Sequence, residues 1–305
     1  MRLFGLFALS LSLTVNAGLD IPSDSGSTIY GLGAGHSMQE AERSAVANIA
    51  QKIVSSISVE TRSLVEFKNG ETNEEFSELM VMESDRLPIY GYRVEKQVSG
   101  DLYEVLVSID THQLANAYHS KLNSDITRIE NIIKLAKTSE PIDALKHMLS
   151  IREELASIYT VSSALQGITK SDASHYQDRL LPLLHEASIQ KSRAHIHVIS
   201  DRSTTDISDY LTEIAQQIGV TSQTGTKYQI VLSGKRKQAS KNGQFRINRS
   251  IRVELRQVGM VQPIILKNYN YTSPASESYE KAEDAIYEKF LLELGSEPFD
   301  KILGV

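Results

Sequence analysis

Residues Thr28 to Val54 read TIYGLGAGHSMQEAERSAVANIAQKIV. Thr28-Ile29-Tyr30 has the β-branched and aromatic character of a short strand, and it runs into Gly31-Leu32-Gly33-Ala34-Gly35. Ser37 then precedes Glu40 by three residues, the spacing of a reciprocal helix cap. Ala41, Ala45, Ile49 and Ile53 recur every four residues, with Val46, Ala50 and Val54 beside them, so one broad apolar stripe marks a helix. The small Ala41 and Ala45 let that helix lie close to a sheet. The glycines read as a tight strand-to-helix turn. A glycine run before a helix can also cradle phosphate. Here the Gly-x-Gly-x-Gly spacing is one residue short of the dinucleotide fingerprint, and no parallel βαβ pattern follows.

Beyond the helix the period changes to two. Ile57 to Arg62 alternates, Asn69-Gly70 is a hairpin signal, and Phe76 to Met82 returns. Ile89 to Val98 and Leu102 to Ile109 follow, the latter with Tyr103, Val105, Val107 and Ile109 on one face. This predicts a β-α-β-β-β-β unit over 28–110, after a flexible lead-in at 18–27. Residues 111–193 turn helical. One helix carries Ile126, Ile129, Ile133 and Ala136. A second begins at Pro141 with Leu145, Leu149 and Ile151. A third starts near Asp172 with Leu180, Leu181, Leu184 and Ala187. From 194 to 305 the order is β-α-β-β-β-α: a strand at Ile196, a helix over Asp206 to Ile218, strands at Tyr228–Leu232, Phe245–Leu255 and Ile264–Tyr271, and a closing helix with Ala282, Ile286, Phe290 and Leu294. The expected fold is α+β, with two small helix-on-antiparallel-sheet units joined by a helical connector.

The first 17 residues read as a secretory leader. Arg2 precedes a short apolar run, and Val15-Asn16-Ala17 places small residues before a cut at Gly18. The run is too short to span a bilayer. The chain has no cysteine. That excludes disulfides, thiolate metal sites and thiol nucleophiles, and it leaves Gly18 where a lipoprotein carries its lipidated cysteine. The expectation is a periplasmic protein without a lipid anchor. A net charge of −6 gives no global attraction to nucleic acid.

No catalytic set stands out, and no cofactor is expected. His195 and His197 have the spacing of strand ligands but lack an identifiable third. His36, at a helix start, could meet an anion. Glu74, Glu75, Glu78, Glu83 and Asp85 form an acidic cluster that could serve glycan hydrolysis or keep a strand edge soluble. The local anomaly is basic: Lys235, Arg236, Lys237, Lys241, Arg246, Arg249, Arg252 and Arg256. In the strand from Phe245, alternation sends Ile247, Ile251, Val253 and Leu255 to one side and Arg246, Arg252 and Arg256 to the other. Arg249 falls on the apolar side, which suggests a bulge or a sheet end. The candidate binding residues are Arg246, Arg252, Arg256, Lys235 and Lys237, facing an envelope protein or an anionic envelope surface. A variant with Arg246, Arg252 and Arg256 changed to Glu is expected to fold and to lose binding.

Tyr30-Gly31-Leu32-Gly33-Ala34, Glu40-Ala41-Glu42-Arg43-Ser44-Ala45, Ile57-Ser58-Val59 and the closing Leu102 to Asp110 together resemble the bacterial lipoprotein-twenty domain family. The N-terminal domain of flagellar assembly protein T is similar to the same module. The resemblance covers residues 30–110 and implies a non-enzymatic envelope component. It carries no catalytic residue over. The function expected is therefore a binding or assembly module of the envelope, associated with the outer membrane or a surface machine. A flagellar basal-body assembly component and an envelope glycan hydrolase are the alternatives.

Overall fold

The computed structural model describes residues 19–56, 87–99, 102–169, 173–221, 226–295 and 298–305. The strands expected at 57–62 and 76–82 and the Asn69-Gly70 turn lie outside the described residues. The chain is α+β, with two sheets and a helical layer.

β1 (Thr28–Gly35) and β2 (Arg93–Ser99) flank β3 (Tyr103–Asp110) in an antiparallel order β1-β3-β2. α1 (Met38–Ser56) lies on β1 and β3. Its start is capped as the sequence predicts. The Glu40 N–H donates to Ser37 Oγ at 3.2 Å, and Glu40 Oε2 accepts from the His36 N–H at 2.9 Å. The glycines do something other than turn the chain. All three are inside β1, paired along the ladder from Thr28↔Asp110 to Gly35↔Tyr103. Their missing side chains are where α1 sits. A Cβ on Gly33 would lie 2.1 Å from the Ala45 nitrogen and 2.2 Å from the Ala41 carbonyl oxygen. One on Gly31 would lie 2.2 Å from the Ala45 carbonyl oxygen. Helix and strand thus meet backbone to backbone, and the space that a phosphate would need over the glycines is filled by α1.

The lead-in is tied down. Asp24 accepts from the Tyr30 N–H and from Lys52 Nζ, and the Ser27 carbonyl accepts from the Thr111 N–H. β3 runs directly into α2 (Thr111–Thr138), whose first turn is capped by Asp110 Oδ1 accepting from the Gln113 N–H at 2.8 Å. α3 (Pro141–Ser150) starts at Pro141, as expected. α4 (Arg152–Thr169) is a helix that the sequence pattern does not reveal, because Leu155, Ala156 and every residue from Ile158 to Leu165 are buried. A helix covered nearly all round shows no apolar stripe. α5 (Ser174–Ser192) buries Leu180, Leu183 and Ala187, with Leu184 half-buried beside them. One apolar cluster takes in α1, β3 and facing sides of α2 to α5.

The C-terminal sheet has the order β4-β5-β6-β7, from β4 (Ile196–Ser200), β5 (Tyr228–Lys241), β6 (Gln244–Gln257) and β7 (Ile265–Thr272). β4 is parallel to β5, with α6 (Thr205–Gln217) as the crossover, so the sheet is mixed and not purely antiparallel as expected. α7 (Tyr279–Leu294) and α8 (Pro298–Leu303) complete a second apolar cluster. α3 belongs to both clusters. Ala144 and Met148 face the first, and Ile142, Leu145 and Leu149 face the second. An Arg152–Asp300 ion pair at 3.1 Å lies across the same junction.

β5 continues well past Leu232 and returns as β6 through Asn242-Gly243, both with positive φ (54° and 73°). That is the two-residue turn whose twist matches paired strands. Replacing Gly33 with Ala should lower stability by about 1–3 kcal/mol or more, because α1 must move off the sheet. Gly26→Ala, where a Cβ meets nothing within 4 Å, should leave the melting temperature nearly unchanged. Thermal unfolding of both variants checks the difference.

Candidate binding surface on the C-terminal sheet

The β5–β6 ladder pairs without a break from Tyr228↔Gln257 to Lys241↔Gln244. Alternation along β6 is therefore strict. Ile247, Ile251, Val253 and Leu255 are buried against the helices, as the sequence predicts. Arg249 is on their side and is only 3% exposed. No bulge releases it, which corrects the sequence-based expectation. It stays inside because α6 and α7 bring it carboxylates. Its guanidinium meets Asp206 at 2.9 and 3.1 Å and Glu283 Oε1 at 3.2 Å. It also donates to the Ser203 carbonyl. Glu283 Oε2 takes Arg236 as well, at 2.9 Å.

Next to this network the chain leaves β4 through Asp201. Its carboxylate accepts from the Ser203 N–H (2.9 Å), the Ser203 hydroxyl (2.7 Å) and the Thr204 hydroxyl (3.1 Å), and from the Gly234 N–H at 2.9 Å. Burial alone would push the Asp201 carboxyl up. The hydrogen bonds from Ser203, Gly234 and Thr204 outweigh it and hold the group below its ordinary value. A Cβ on Gly234 would lie 2.5 Å from Ser203 Oγ, so a larger residue there would displace the hydroxyl that holds Asp201.

The opposite, open face carries the predicted binding residues. Lys235, Lys237 and Arg246 share it, standing opposite Ser250, Asn248 and Ala239 in the ladder. All three are exposed, and none has an ion-pair partner among the described residues. Arg252 and Arg256 share the same face but are differently placed. Both form ion pairs with Glu254, which is 3% exposed although it lies on the open side. The two arginines fold over it. Changing Arg252 and Arg256 to Glu would crowd carboxylates around a buried one, so from the folded geometry that variant is expected to lose stability as well as binding. The five candidates divide into three free cations and two that cover an acid.

The remaining candidates do not converge. His195 precedes β4 with φ 42°, and His197 is exposed on the open face of β4. Among the described residues no group of three or more His, Cys, Asp or Glu side chains could hold a metal ion. His36 is exposed, with its N–H committed to Glu40. Glu74, Glu75, Glu78, Glu83 and Asp85 lie outside the described residues. One surface feature has only a faint sequence signal: the aliphatic turn Val258-Gly259-Met260-Val261 between β6 and β7, which is exposed throughout. Apolar residues in a turn are ordinarily taken as the ragged end of a strand.

No family model and no curated protein matches the chain. Among solved structures it is similar to the crystal structure of the secreted protein HP1454 from the human pathogen Helicobacter pylori. The identity is 12% and the TM-score 0.43, over 88% of this chain and 98% of that one. Among the described residues no helix is long and apolar enough to cross a membrane.

Arg249→Ala should destabilise the fold by about 2–4 kcal/mol, because it leaves Asp206 without its cation beside Glu283, which keeps only Arg236. Denaturant unfolding of the variant measures this. Asp201 has a depressed pKa in the folded state, so its stabilisation is present above the ordinary carboxyl value of 3.8 and is lost as the pH falls through the folded value. Asp201→Asn should therefore melt below the parent at pH 7, with the gap closing as the pH drops under that value. A constant gap across the acid range would contradict it.

Proposed function

We propose that the chain is an exported, non-enzymatic binding or assembly module of the bacterial cell envelope, working in the periplasm beside the outer membrane or a surface machine. One observation carries this reading. Lys235, Lys237 and Arg246 stand unpaired on one side of the β5–β6 hairpin, in a chain whose net charge is −6. No Asp or Glu occurs from Gly234 to Ile251. Free cations on a shared face attract an acidic protein or an anionic surface over roughly 8–10 Å at moderate salt.

Three further features support it. The leader-like Met1 to Ala17 favours export. The resemblance of residues 30–110 to the lipoprotein-twenty domain favours an envelope setting. Two buried tyrosines are held by packing and hydrogen bonds. Burial pushes the Tyr118 hydroxyl well above its ordinary value, and it donates to the Pro88 carbonyl at 2.9 Å. Burial, and then the nearby Glu293 carboxylate, do the same for Tyr271, which donates to Glu293 at 2.6 Å. Tyrosines held in this way stiffen a scaffold.

The test is the variant Lys235→Glu, Lys237→Glu, Arg246→Glu. Exposed substitutions of this kind shift stability by about 0.5 kcal/mol or less each, so its circular dichroism and melting temperature should match the parent. Its capture of envelope components at low salt should be lost, and capture by the parent should weaken as salt rises. Equal capture by the two proteins would refute the cationic face as the contact.

A further inference from the structure

The open face has an apolar end as well as a basic one. Val261 is 88% exposed and Met260 60%. Val258 and Ile264, at the two sides of the same turn, and Leu266 and Ile199, on the adjoining edge strands, are also exposed. By register Leu266 pairs with Glu254, Glu254 with Val231, and Val231 with Ile199, so these side chains form one row across the sheet. The turn is held in shape from behind. The Val258 N–H donates to the Lys227 carbonyl, Met260 to Gln257 and Ile264 to Leu255. Its projecting aliphatic side chains are thus presented by an ordered backbone.

The turn and its strands are rich in cations; the neighbouring Lys227, whose carbonyl holds the Val258 N–H, is paired with Glu140 at 3.5 Å. No Asp or Glu occurs from Leu255 to Ser276. On the open side of the paired strands the single carboxylate is Glu254, and it is shared by Arg252 and Arg256. Two guanidinium groups over one carboxylate leave a net positive charge within that row, between Leu266 and Val231. Lys235, Lys237 and Arg246 extend that charge along the same face.

The geometry points to a peripheral docking site for an anionic lipid bilayer. The Val258–Ile264 turn enters the boundary between headgroups and acyl chains, and Arg252 and Arg256 lie at phosphate level. A lipid occupant fits better than a protein one for two reasons. A projecting aliphatic tip needs a medium that deforms around it, and the hot spots of protein interfaces centre on aromatic anchors such as Trp and Tyr. This turn contains no aromatic residue. Apolar insertion combined with attraction to anionic headgroups is also how surface-bound elements hold a membrane without crossing it. The inference deepens the envelope reading by assigning a contact to the same face. It rests on that reading only for the cations that bring the face to the surface.

The chain has no tryptophan, so Val261→Trp places a single reporter at the tip. With vesicles of phosphatidylglycerol and phosphatidylcholine, its emission should shift to the blue and be quenched by brominated acyl chains. Pure phosphatidylcholine vesicles should give a much smaller change. The double variant Met260→Asp, Val261→Asp alters only exposed side chains. It should keep the parent melting temperature and lose about tenfold or more in sedimentation with the anionic vesicles. Unmoved tryptophan emission overturns the proposal, and so does double-variant sedimentation within twofold of the parent. A shift produced by lipid-free envelope protein, with none from vesicles, also overturns it and assigns the turn to a protein partner. The triple variant at Lys235, Lys237 and Arg246 separates the two readings. If it alone abolishes vesicle binding, the cationic face stands and insertion falls. If the double variant alone does so, insertion stands without that face.

Discussion

The unbroken pairing of β5 with β6 is the constraint from which the C-terminal surface follows. Side chains in a strand alternate with a period of two, so an unshifted register assigns every residue of β6 to a face. Ile247, Ile251, Val253 and Leu255 must then go inward, and so must Arg249. Burying a guanidinium is costly unless charge and hydrogen bonds meet it. Asp206, Glu283 and the Ser203 carbonyl do so from α6 and the turn before it and from α7. The arginine therefore fixes where both helices sit on the sheet. The same alternation sends Arg246, Arg252, Glu254 and Arg256 outward. The apolar core and the charged open face are two consequences of one register.

At the other end of the chain the corresponding constraint is a lack of side chains. Gly31 and Gly33 let α1 approach β1 until backbones touch, and Ala41 and Ala45 make the helix thin enough to do it. Close contact of this kind gains dispersion energy along the whole interface and tolerates no added atom. The two ends are joined by α3. It is short, but both of its long faces are apolar, so each core is completed by a different side of one helix. That arrangement couples the halves more firmly than a solvated connector would.

Much of the architecture is legible in the residues. Period-four apolar residues mark α1 and α2, Pro141 marks the start of α3, and Ser37 with Glu40 marks a cap that the structure contains. Asn242-Gly243 marks a hairpin turn with the positive φ values that it needs. The α+β class follows from those periods. Other parts are silent for physical reasons. α4 is buried nearly all round, so its amphipathic signal is erased. β4 joins β5 in parallel, and direction is not encoded in a strand's own pattern. The open half of β5, from Lys235 to Lys241, is polar on both faces and so lacks the alternation that would announce a strand.

For the binding surface the division is sharper. The sequence by itself determined that eight cations crowd into one stretch of an acidic chain, and that Arg249 falls out of phase with the others. It determined this because composition and period are local properties. Only the tertiary structure decided which of those cations are free. Arg249 and Arg236 are taken by carboxylates far away in the chain, Arg252 and Arg256 are taken by a neighbour that alternation alone would leave in solvent, and Lys235, Lys237, Lys241 and Arg246 are left over among the described residues. A charge is available only when no partner lies within a few ångströms, and that distance is set by packing between elements remote in sequence.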